Sequence, residues 1–253
     1  MLRSVPAGLR FGEVAEDFDR VRLSYPASLV DDVLGYQGED LLRLRVLEVG
    51  AGTGKATVAF VARGVRLVAV EPDAAMAAVL ARRVADPDAV EIVTSRFEDY
   101  RPAERFGLLA CADAWHWVDP EAGWELAARA LAPGGVLALF WNHDRIDDDT
   151  VRRHLLSVLH DHVPEVRVID APSDWPGDEL AARPEFTDQT RRVYQSRITM
   201  PAADYLTHMS TRSQCRMLAP PVRERLFGAL ATVFVEPVTL AVDTVLHLAR
   251  VRP

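Results

Sequence analysis

The sequence predicts an α/β fold built on a doubly wound, mostly parallel sheet. Strand-like and helix-like segments alternate between residues 46 and 141, which is the order expected of parallel strands joined by helices. The run Val136-Leu-Ala-Leu-Phe-Trp141 is apolar throughout, as in a strand buried on both faces. A chain of 253 residues, 49% of them hydrophobic, is long enough to bury such a core as one elaborated domain.

The first element is a strand that runs into a glycine-rich turn. The strand covers residues 46–49, glycines follow at positions 50, 52 and 54, and residues 55–63 have the pattern of a helix. Glycine tolerates positive φ and lets the backbone approach a ligand closely, and the start of a helix offers free N–H groups. This unit is therefore the first candidate ligand site.

The glycine spacing narrows the class of ligand. A phosphate-binding loop requires G-x-x-x-x-G-K-S/T, but Val49 stands at the first glycine and Ala56 at the hydroxyl position. A dinucleotide fingerprint requires G-x-G-x-x-G, and neither register fits. A nucleoside that carries a cation fits better, because Glu48 supplies a carboxylate just before the first glycine. A glycine-rich turn of no special function is the plain alternative.

The second strand, residues 66–70, ends at Glu71-Pro72-Asp73. An acidic residue about 20 residues past the glycines is placed to accept both hydroxyls of a ribose. Pro72 ends the strand, and Asp73 is a good N-cap for the alanine-rich helix that runs to about residue 85. The alternative is that both acidic residues only cap this helix. Since Asp73 alone suffices for that, Glu71 is left for a ligand.

Three more strands and one helix follow, with the strands at residues 90–94, 107–112 and 136–141 and the helix at 120–131. The proline and glycines of residues 132–135 end that helix. Ligands of doubly wound sheets bind beyond the carboxyl ends of the strands. The candidate site residues therefore lie in five strand ends, at residues 50–54, 71–73, 95–99, 113–117 and 141–144.

Three segments together resemble the class I S-adenosylmethionine-dependent methyltransferases. VLEVGAGTG is similar to the first motif of that family, VEPDAAM to the second, and LAPGGVLALF to the segment entering its fifth strand. The resemblance is most specific over residues 45–142 and extends loosely to the lead-in FDRVRLSYP. It implies S-adenosylmethionine as cofactor, S-adenosylhomocysteine as product, and a seven-stranded Rossmann-like sheet completed by two late antiparallel strands.

The resemblance also implies a set of cofactor-binding residues. The loop after the third strand would hold the adenine edge, with Phe97 near the ring, although Arg96 departs from the small or acidic residue common there. A polar loop with one buried aromatic residue is the alternative at this strand end. The predicted set is Glu48, Gly50, Ala51, Gly52, Gly54, Glu71, Pro72, Met76, Phe97, Glu98, Asp113 and Trp115.

Two histidines are the candidate catalytic residues. His116 lies in a strand end where relatives often carry an aromatic-His-Trp sequence, and an unperturbed imidazole pKa near 6.5 suits a general base. The structural alternative is an imidazole packed between Trp115 and Trp117. His143 follows the fifth strand as a second candidate base, and a polar loop is its alternative. The aromatic rings favour a cationic sulfonium by about 0.5–2 kcal/mol.

Five residues are predicted to contact the acceptor. Arg22 and Tyr25 lie in an N-terminal segment similar to the family's lid, for which an arginine exposed on an amphipathic helix is the competing interpretation. Trp117, Trp141 and Asn142 lie at the ends of the fourth and fifth strands.

The segments on either side of the core are predicted to form an N-terminal lid and a helical cap within one structural domain. Residues 1–40 are predicted as N-terminal lid helices, residues 41–145 as the cofactor-binding core, and residues 146–253 as the part that completes the sheet. That last part reads as a helix at 150–163, an irregular segment at 164–184, an edge strand at 189–199, helices at 202–212 and 220–233, and a strand at about 238–250. By resemblance, the helical insertion at about 200–235 roofs the acceptor pocket.

Composition limits the partners and the compartment. The net charge of −8 disfavours nucleic acid or an anionic membrane, and we find neither a membrane-spanning run nor a signal-peptide core. Cys111 and Cys215 give neither a disulfide framework nor a metal spacing. We therefore predict no metal and a cytoplasmic protein that acts on a small molecule, while the oligomeric state is not indicated.

These patterns predict methyl transfer to a small-molecule acceptor, with O-methylation favoured over N- or C-methylation. The protein mainly aligns the acceptor with the S–CH₃ bond, which can be worth roughly 7–11 kcal/mol. A base is needed only where the acceptor must lose a proton. The alternative is a cofactor-binding protein of this fold that transfers no methyl group, either catalysing another reaction or serving as a binding partner. A nicotinamide oxidoreductase is disfavoured by the glycine spacing.

Overall fold

The computed structural model of the chain describes residues 11–39, 41, 43–164 and 175–252. The strands are β1 (Val46–Val49), β2 (Leu67–Val70), β3 (Val90–Val93), β4 (Phe106–Ala112), β5 (Leu131–Ile146), β6 (Phe186–Met200) and β7 (Val238–Val251). The helices are α1 (Ala15–Val21), α2 (Ala27–Gln37), α3 (Thr57–Val61), α4 (Ala74–Arg83), α5 (Ala122–Ala130), α6 (Asp149–His162), α7 (Gly177–Ala181), α8 (Ala202–Ser210), α9 (Ser213–Arg216) and α10 (Pro220–Val233).

Within the described residues the strands form one seven-stranded sheet in the order β3-β2-β1-β4-β5-β7-β6. Parallel pairing joins β1 to β2 and β4, β2 to β3, and β4 to β5. Strand β7 runs antiparallel to β5. This is shown by Asp147 N, just past the end of β5, which donates to Thr239 O near the start of β7 (2.9 Å). The predicted seven-stranded, mostly parallel sheet is confirmed.

The described residues group into two compact units. The larger unit comprises the described residues of the segments 24–142, 173–194 and 244–253, and the smaller unit comprises those of the segments 1–23, 143–172 and 195–243. The boundaries predicted from the sequence, near residues 40 and 145 within one domain, stay a prediction.

The larger unit contains the parallel part of the sheet, covered by apolar side chains on both faces. Every residue of β1 and β2 is buried. Leu47 and Val49 belong to one hydrophobic cluster and Val46 to the other, because alternate residues of a strand point to opposite faces. This two-sided burial explains the nearly continuous apolar strands in the sequence.

The smaller unit is mainly helical. It contains α1, α6, α8, α9 and α10 together with the residues of β5, β6 and β7 that fall within its segments. Its core is one cluster in which Leu155 and Leu159 of α6 pack with Leu226 and Leu230 of α10. Their spacing of four residues places each pair on one helix face.

Between residues 46 and 146, two elements differ from the sequence-based prediction. The helix after the glycine turn is limited to Thr57–Val61, shorter than the predicted 55–63. β5 begins at Leu131 rather than 136, and residues 132–135 form an irregularity within the strand, since Phe106 pairs with Leu131 and Leu108 already pairs with Val136. β5 also continues to Ile146, so residues 142–144 are strand rather than a terminal loop. Its continued pairing along β7 accounts for this extension.

The helices and strands predicted after residue 149 agree with α6, β6, α8, α10 and β7, but the segment predicted as irregular, residues 164–184, contains the helix α7. Part of the predicted irregular segment, residues 165–174, lies outside the described residues. In the part of the chain that the structure describes, no helix combines the length and the apolar character that crossing a membrane requires.

Candidate functional site

The glycine turn after β1 has the backbone conformation that its glycines were expected to provide. Gly50, Gly52 and Gly54 have φ values of 68°, 57° and 86°. A Cβ at Gly50 would lie 2.4 Å from Ala114 Cβ, so this position requires glycine for space as well as for conformation. Gly50 N also donates to Val70 O (2.8 Å), which fixes the turn against the end of β2.

The Glu71 carboxylate is anchored at the end of β2 by two backbone groups. Gly52 N donates to Oε2 and Asp73 N donates to Oε1, each at 2.8 Å. The side chain is buried, and burial raises the pKa of Glu71 to about 7 although both backbone hydrogen bonds act to lower it. Asp73 caps α4 by accepting from Ala75 N and Met76 N. The predicted N-cap role of Asp73 is therefore confirmed, while ligand binding by Glu71 stays a prediction.

The Glu48 carboxyl group is buried near the carboxyl end of β1. Only 1% of the residue is exposed. Thr57 Oγ1 donates to Oε2 at 2.6 Å, while Oε1 has no hydrogen-bond partner among the described residues. Burial is the main cause that raises the pKa of Glu48 to about 8, and the nearby Glu71 carboxylate adds to it.

The aromatic residues at the third and fourth strand ends belong to the core of the larger unit. Phe97 is buried, with its ring centroid 6.4 Å from that of Trp115. Trp115 is also buried and lies 5.0 Å from Trp124. The Glu98 carboxylate is hydrogen-bonded within the protein, since its Oε1 accepts from Asp119 N at 2.8 Å. This hydrogen bond ties the third strand end to the fourth.

A line of aromatic rings runs from the residues after β4 to Trp141 within β5. His116 and Trp117 are exposed and have centroids 4.8 Å apart. Trp175 lies 6.4 Å from His116 and 6.0 Å from Trp141. Trp141 in turn stacks on His247 at 5.3 Å with an interplanar angle of 11°. We call these five residues the aromatic line.

Other predicted residues of the larger unit make specific contacts. Asp113 adopts a positive φ of 53° and donates its N–H to Phe140 O. Tyr25 packs edge-on against the Phe140 ring at 4.8 Å. Asn142 Oδ1 accepts from Thr244 Oγ1 at 2.6 Å. Backbone geometry and packing therefore hold these positions in place.

The structure thus brings most of the predicted site residues into the larger unit. These are Tyr25, Glu48, Gly50, Ala51, Gly52, Gly54, Glu71, Pro72, Met76, Phe97, Glu98, Asp113, Trp115, His116, Trp117, Trp141 and Asn142. Arg22 and His143 fall in the smaller unit. Their assignment to the acceptor and to catalysis stays a prediction.

The smaller unit contains a buried charged cluster that the sequence did not reveal. Asp144 is paired with Arg212, and its Oδ2 lies 3.3 Å from His208 Nε2. Despite burial, which alone would raise it, the charge of Arg212 and the contact with His208 hold the pKa of Asp144 well below its usual range. Burial lowers the pKa of His208. Arg22 donates from Nε to Thr211 Oγ1 at 3.0 Å.

Four functional or buried residues were missed because their partners are distant in sequence. His208 lies in α8 and Arg212 follows two residues after that helix ends, and no local pattern in the sequence names Asp144 as their partner. Trp175 falls in a proline-rich segment without periodicity. A histidine inside the apolar strand β7 was the available indication for His247. Among the described residues, no group of three or more potential ligands is arranged to hold a metal ion.

Comparison with known proteins adds a family relationship. Residues 47–139 match the model of the methyltransferase domain. An uncharacterized methyltransferase of Mycobacterium tuberculosis is 40% identical over 134 residues, which is 53% of this chain and 52% of that protein. The chain thus spans about half the length of the curated relatives it matches.

Solved structures share the fold at low sequence identity. A protein of Anaeromyxobacter dehalogenans, solved as a candidate type II methyltransferase, has a TM-score of 0.63 at 21% identity and covers 92% of this chain and 99% of its own. A phosphoethanolamine N-methyltransferase of Haemonchus contortus, solved with S-adenosylhomocysteine, has a TM-score of 0.55 at 14% identity over 96% of this chain and 57% of its own. These similarities concern the fold alone.

Proposed function

The chain belongs, through residues 47–139, to the class I S-adenosylmethionine-dependent methyltransferases, and from this premise we propose that it transfers a methyl group from S-adenosylmethionine to a small-molecule acceptor. The methyl donor of this family is S-adenosylmethionine. We assign the donor to the carboxyl ends of β1 and β2, favour an oxygen atom as the acceptor, and expect the protein to act in the cytoplasm.

The observation that carries the proposal is the anchored carboxylate of Glu71. Each of its oxygens already accepts one backbone N–H, from Gly52 and from Asp73, and each retains a lone pair for a further donor. A carboxylate fixed in this way is preorganised for the two hydroxyls of a ribose. The glycine turn beside it lets the backbone approach the same ligand closely.

The aromatic line supports a small acceptor next to the donor. Trp117, Trp141 and Trp175 offer flat apolar surface that excludes water from a reacting pair. His116, at the exposed end of the line, is the candidate base for an acceptor hydroxyl. The bound sulfonium supplies the activated methyl group, and the residues of this chain hold and orient the reactants.

The proposal is tested by supplying S-adenosylmethionine together with phenols, carboxylic acids and amines, and measuring S-adenosylhomocysteine and methylated product. We expect transfer to an oxygen acceptor. Transfer to amines alone would contradict the preference for oxygen. Saturable cofactor binding without transfer to any class would contradict the enzymatic role and favour the alternative of a non-methylating cofactor-binding protein.

Replacement of His116 separates catalysis from packing. In His116→Ala, turnover of a phenolic acceptor should fall by about 10²–10⁴-fold, the usual contribution of a general base, with unchanged affinity for S-adenosylmethionine. A carboxylic acid acceptor is the matched control, because its carboxylate needs no base at neutral pH. Equal losses for both acceptors would assign His116 to packing instead.

A further inference from the structure

The two buried carboxyl groups at the ends of β1 and β2 differ in whether both of their oxygens accept a hydrogen bond. Glu71 accepts two backbone N–H groups, which is an environment built for an ionised carboxylate. Glu48 accepts from the Thr57 hydroxyl and is also stabilised by the Thr57 backbone N–H, but its Oε1 has no partner in the described part of the chain. Two like charges in one buried region repel each other, so the group with an unpartnered oxygen is the one expected to keep a proton.

The surroundings of Glu48 agree with a neutral group. From α3 it faces the hydroxyl and the backbone N–H of Thr57, and from the end of β2 it faces the Glu71 carboxylate, which in turn faces Asp73. From β4, the Cys111 thiol lies close by, and burial raises the pKa of that thiol. The raised pKa of Glu48, about 8, points the same way. None of the groups that shift the pKa of Glu48 within the described residues is a cation.

We propose that Glu48 is a protonated, neutral carboxyl group in the free protein and releases its proton when the positively charged methyl donor binds. This inference rests on the proposed function, because it requires the sulfonium to bind at the glycine turn directly after β1. A cation brought near a buried carboxyl group favours the ionised form strongly where the surroundings are poor in water. Glu48 thereby becomes a specificity-determining residue that responds to the charge on sulfur.

The proton balance closes over one reaction cycle. Binding of the donor turns the neutral Glu48 acid into a carboxylate, and the proton passes to solvent. Transfer of the methyl group converts the sulfonium to a neutral thioether, and the acceptor loses its own proton where it has one. Glu48 then takes a proton back from solvent. The ionised state of Glu48 therefore stabilises the donor complex and not the product complex, which favours product release.

Calorimetric titrations in buffers of different ionisation enthalpy count the protons released on binding. At pH 7, S-adenosylmethionine should release at least about 0.5 proton more than S-adenosylhomocysteine. Comparing the two ligands removes any contribution from the ribose contact with Glu71, since both carry the same ribose. The ratio of the two affinities should rise by up to about tenfold per pH unit between pH 6 and 8.

Glu48→Gln is the matched variant, because it keeps the shape and removes the titration. In this variant the difference in protons between the two ligands should vanish, while S-adenosylhomocysteine still binds. Equal proton release by both ligands in the wild type, or a difference that persists in Glu48→Gln, would overturn the inference and leave the proposed function intact. Absence of binding by either ligand would instead overturn both.

A spectroscopic readout on the wild type avoids dependence on the variant's folding. The infrared difference spectrum of the free protein and its donor complex should show loss of the carbonyl band of a protonated carboxyl group. The same difference with S-adenosylhomocysteine should leave that band in place. A band that is absent from the free protein would contradict the proposal.

Discussion

The larger and the smaller unit each bury carboxyl groups, yet they shift the pKa of those groups in opposite directions. In the smaller unit the pKa of Asp144 lies well below its usual range, because Arg212 and His208 stabilise its charge. In the larger unit the pKa values of Glu48 and Glu71 rise to about 8 and about 7, since burial dominates there. Burial is common to all three, and the presence of a cation separates them.

This difference indicates which buried charges the protein has already neutralised. The charge of Asp144 is neutralised within its own unit by Arg212. These contacts therefore suit a structural role. No cation within the described residues contributes to the pKa of Glu48 or Glu71. On the proposed function, we expect the positive charge of a sulfonium to become the partner of Glu48, while Glu71 accepts the hydroxyls of the ribose.

The largest expected effect is on the pH dependence of stability. The pKa of Glu48 rises from its ordinary value of 4.5 to about 8 on folding, so between these values the folded state binds more protons than the unfolded state. The free energy of unfolding should therefore fall as pH rises from about 5 to 8, by on the order of 4 kcal/mol from this group. Denaturant titrations of the ligand-free protein across this range measure the fall.

Glu48→Gln sharpens this pH prediction, because its amide does not titrate. The stability advantage of the variant over the wild type should grow as pH rises toward 8. Asp144 acts with the opposite sign, since stability from its ionised form is lost as pH falls below its ordinary value of 3.8. If the free energy of unfolding changed equally with pH in the wild type and in Glu48→Gln between pH 5 and 8, the difference described between the two units would be contradicted.

The second effect concerns the ion pair of the smaller unit. Arg212→Met leaves the Asp144 carboxylate buried without its guanidinium, which should lower the free energy of unfolding by up to about 3 kcal/mol. This value is at the lower end of the range for breaking a buried ion pair, because the Arg212 side chain is 34% exposed. Denaturant unfolding measures the loss. The double variant Asp144→Asn, Arg212→Met should recover much of it, and an equal loss in both variants would show that the pair is not coupled.

Much of the larger unit's site was predictable, whereas the charged cluster of the smaller unit was not. The glycines and Glu71 lie within about 20 residues of each other in the sequence, and strand pairing brings adjacent strand ends together automatically. Asp144 lies in β5, whereas His208 lies in α8 and Arg212 just after it, over 60 residues later, and no local pattern links them. The extension of β5 likewise depends on β7, which follows almost a hundred residues later.

The smallest expected effect is a difference in the free energy of unfolding between variants of two buried threonines near the glycine turn. Thr57→Val removes the hydroxyl that donates to Glu48 and should destabilise the protein by about 1–3 kcal/mol. Thr53→Val is the control, because Thr53 is equally buried and its Oγ1 has no hydrogen-bond partner among the described residues. Its free energy of unfolding should stay near the wild-type value. Equal costs in thermal or denaturant unfolding would contradict the role given to the Thr57–Glu48 contact.

The central claim is that the carboxyl ends of β1 and β2 bind S-adenosylmethionine through Glu71, and calorimetric titration of Glu71→Ala tests it most directly. We expect one saturable site in the wild type and an affinity lower by about 100-fold or more in the variant, since two hydrogen bonds to a charged group are lost. Glu104→Ala is the control, because Glu104 pairs with Arg45 in the same unit, just ahead of β4. Wild-type affinity in Glu71→Ala would contradict the assignment of the site.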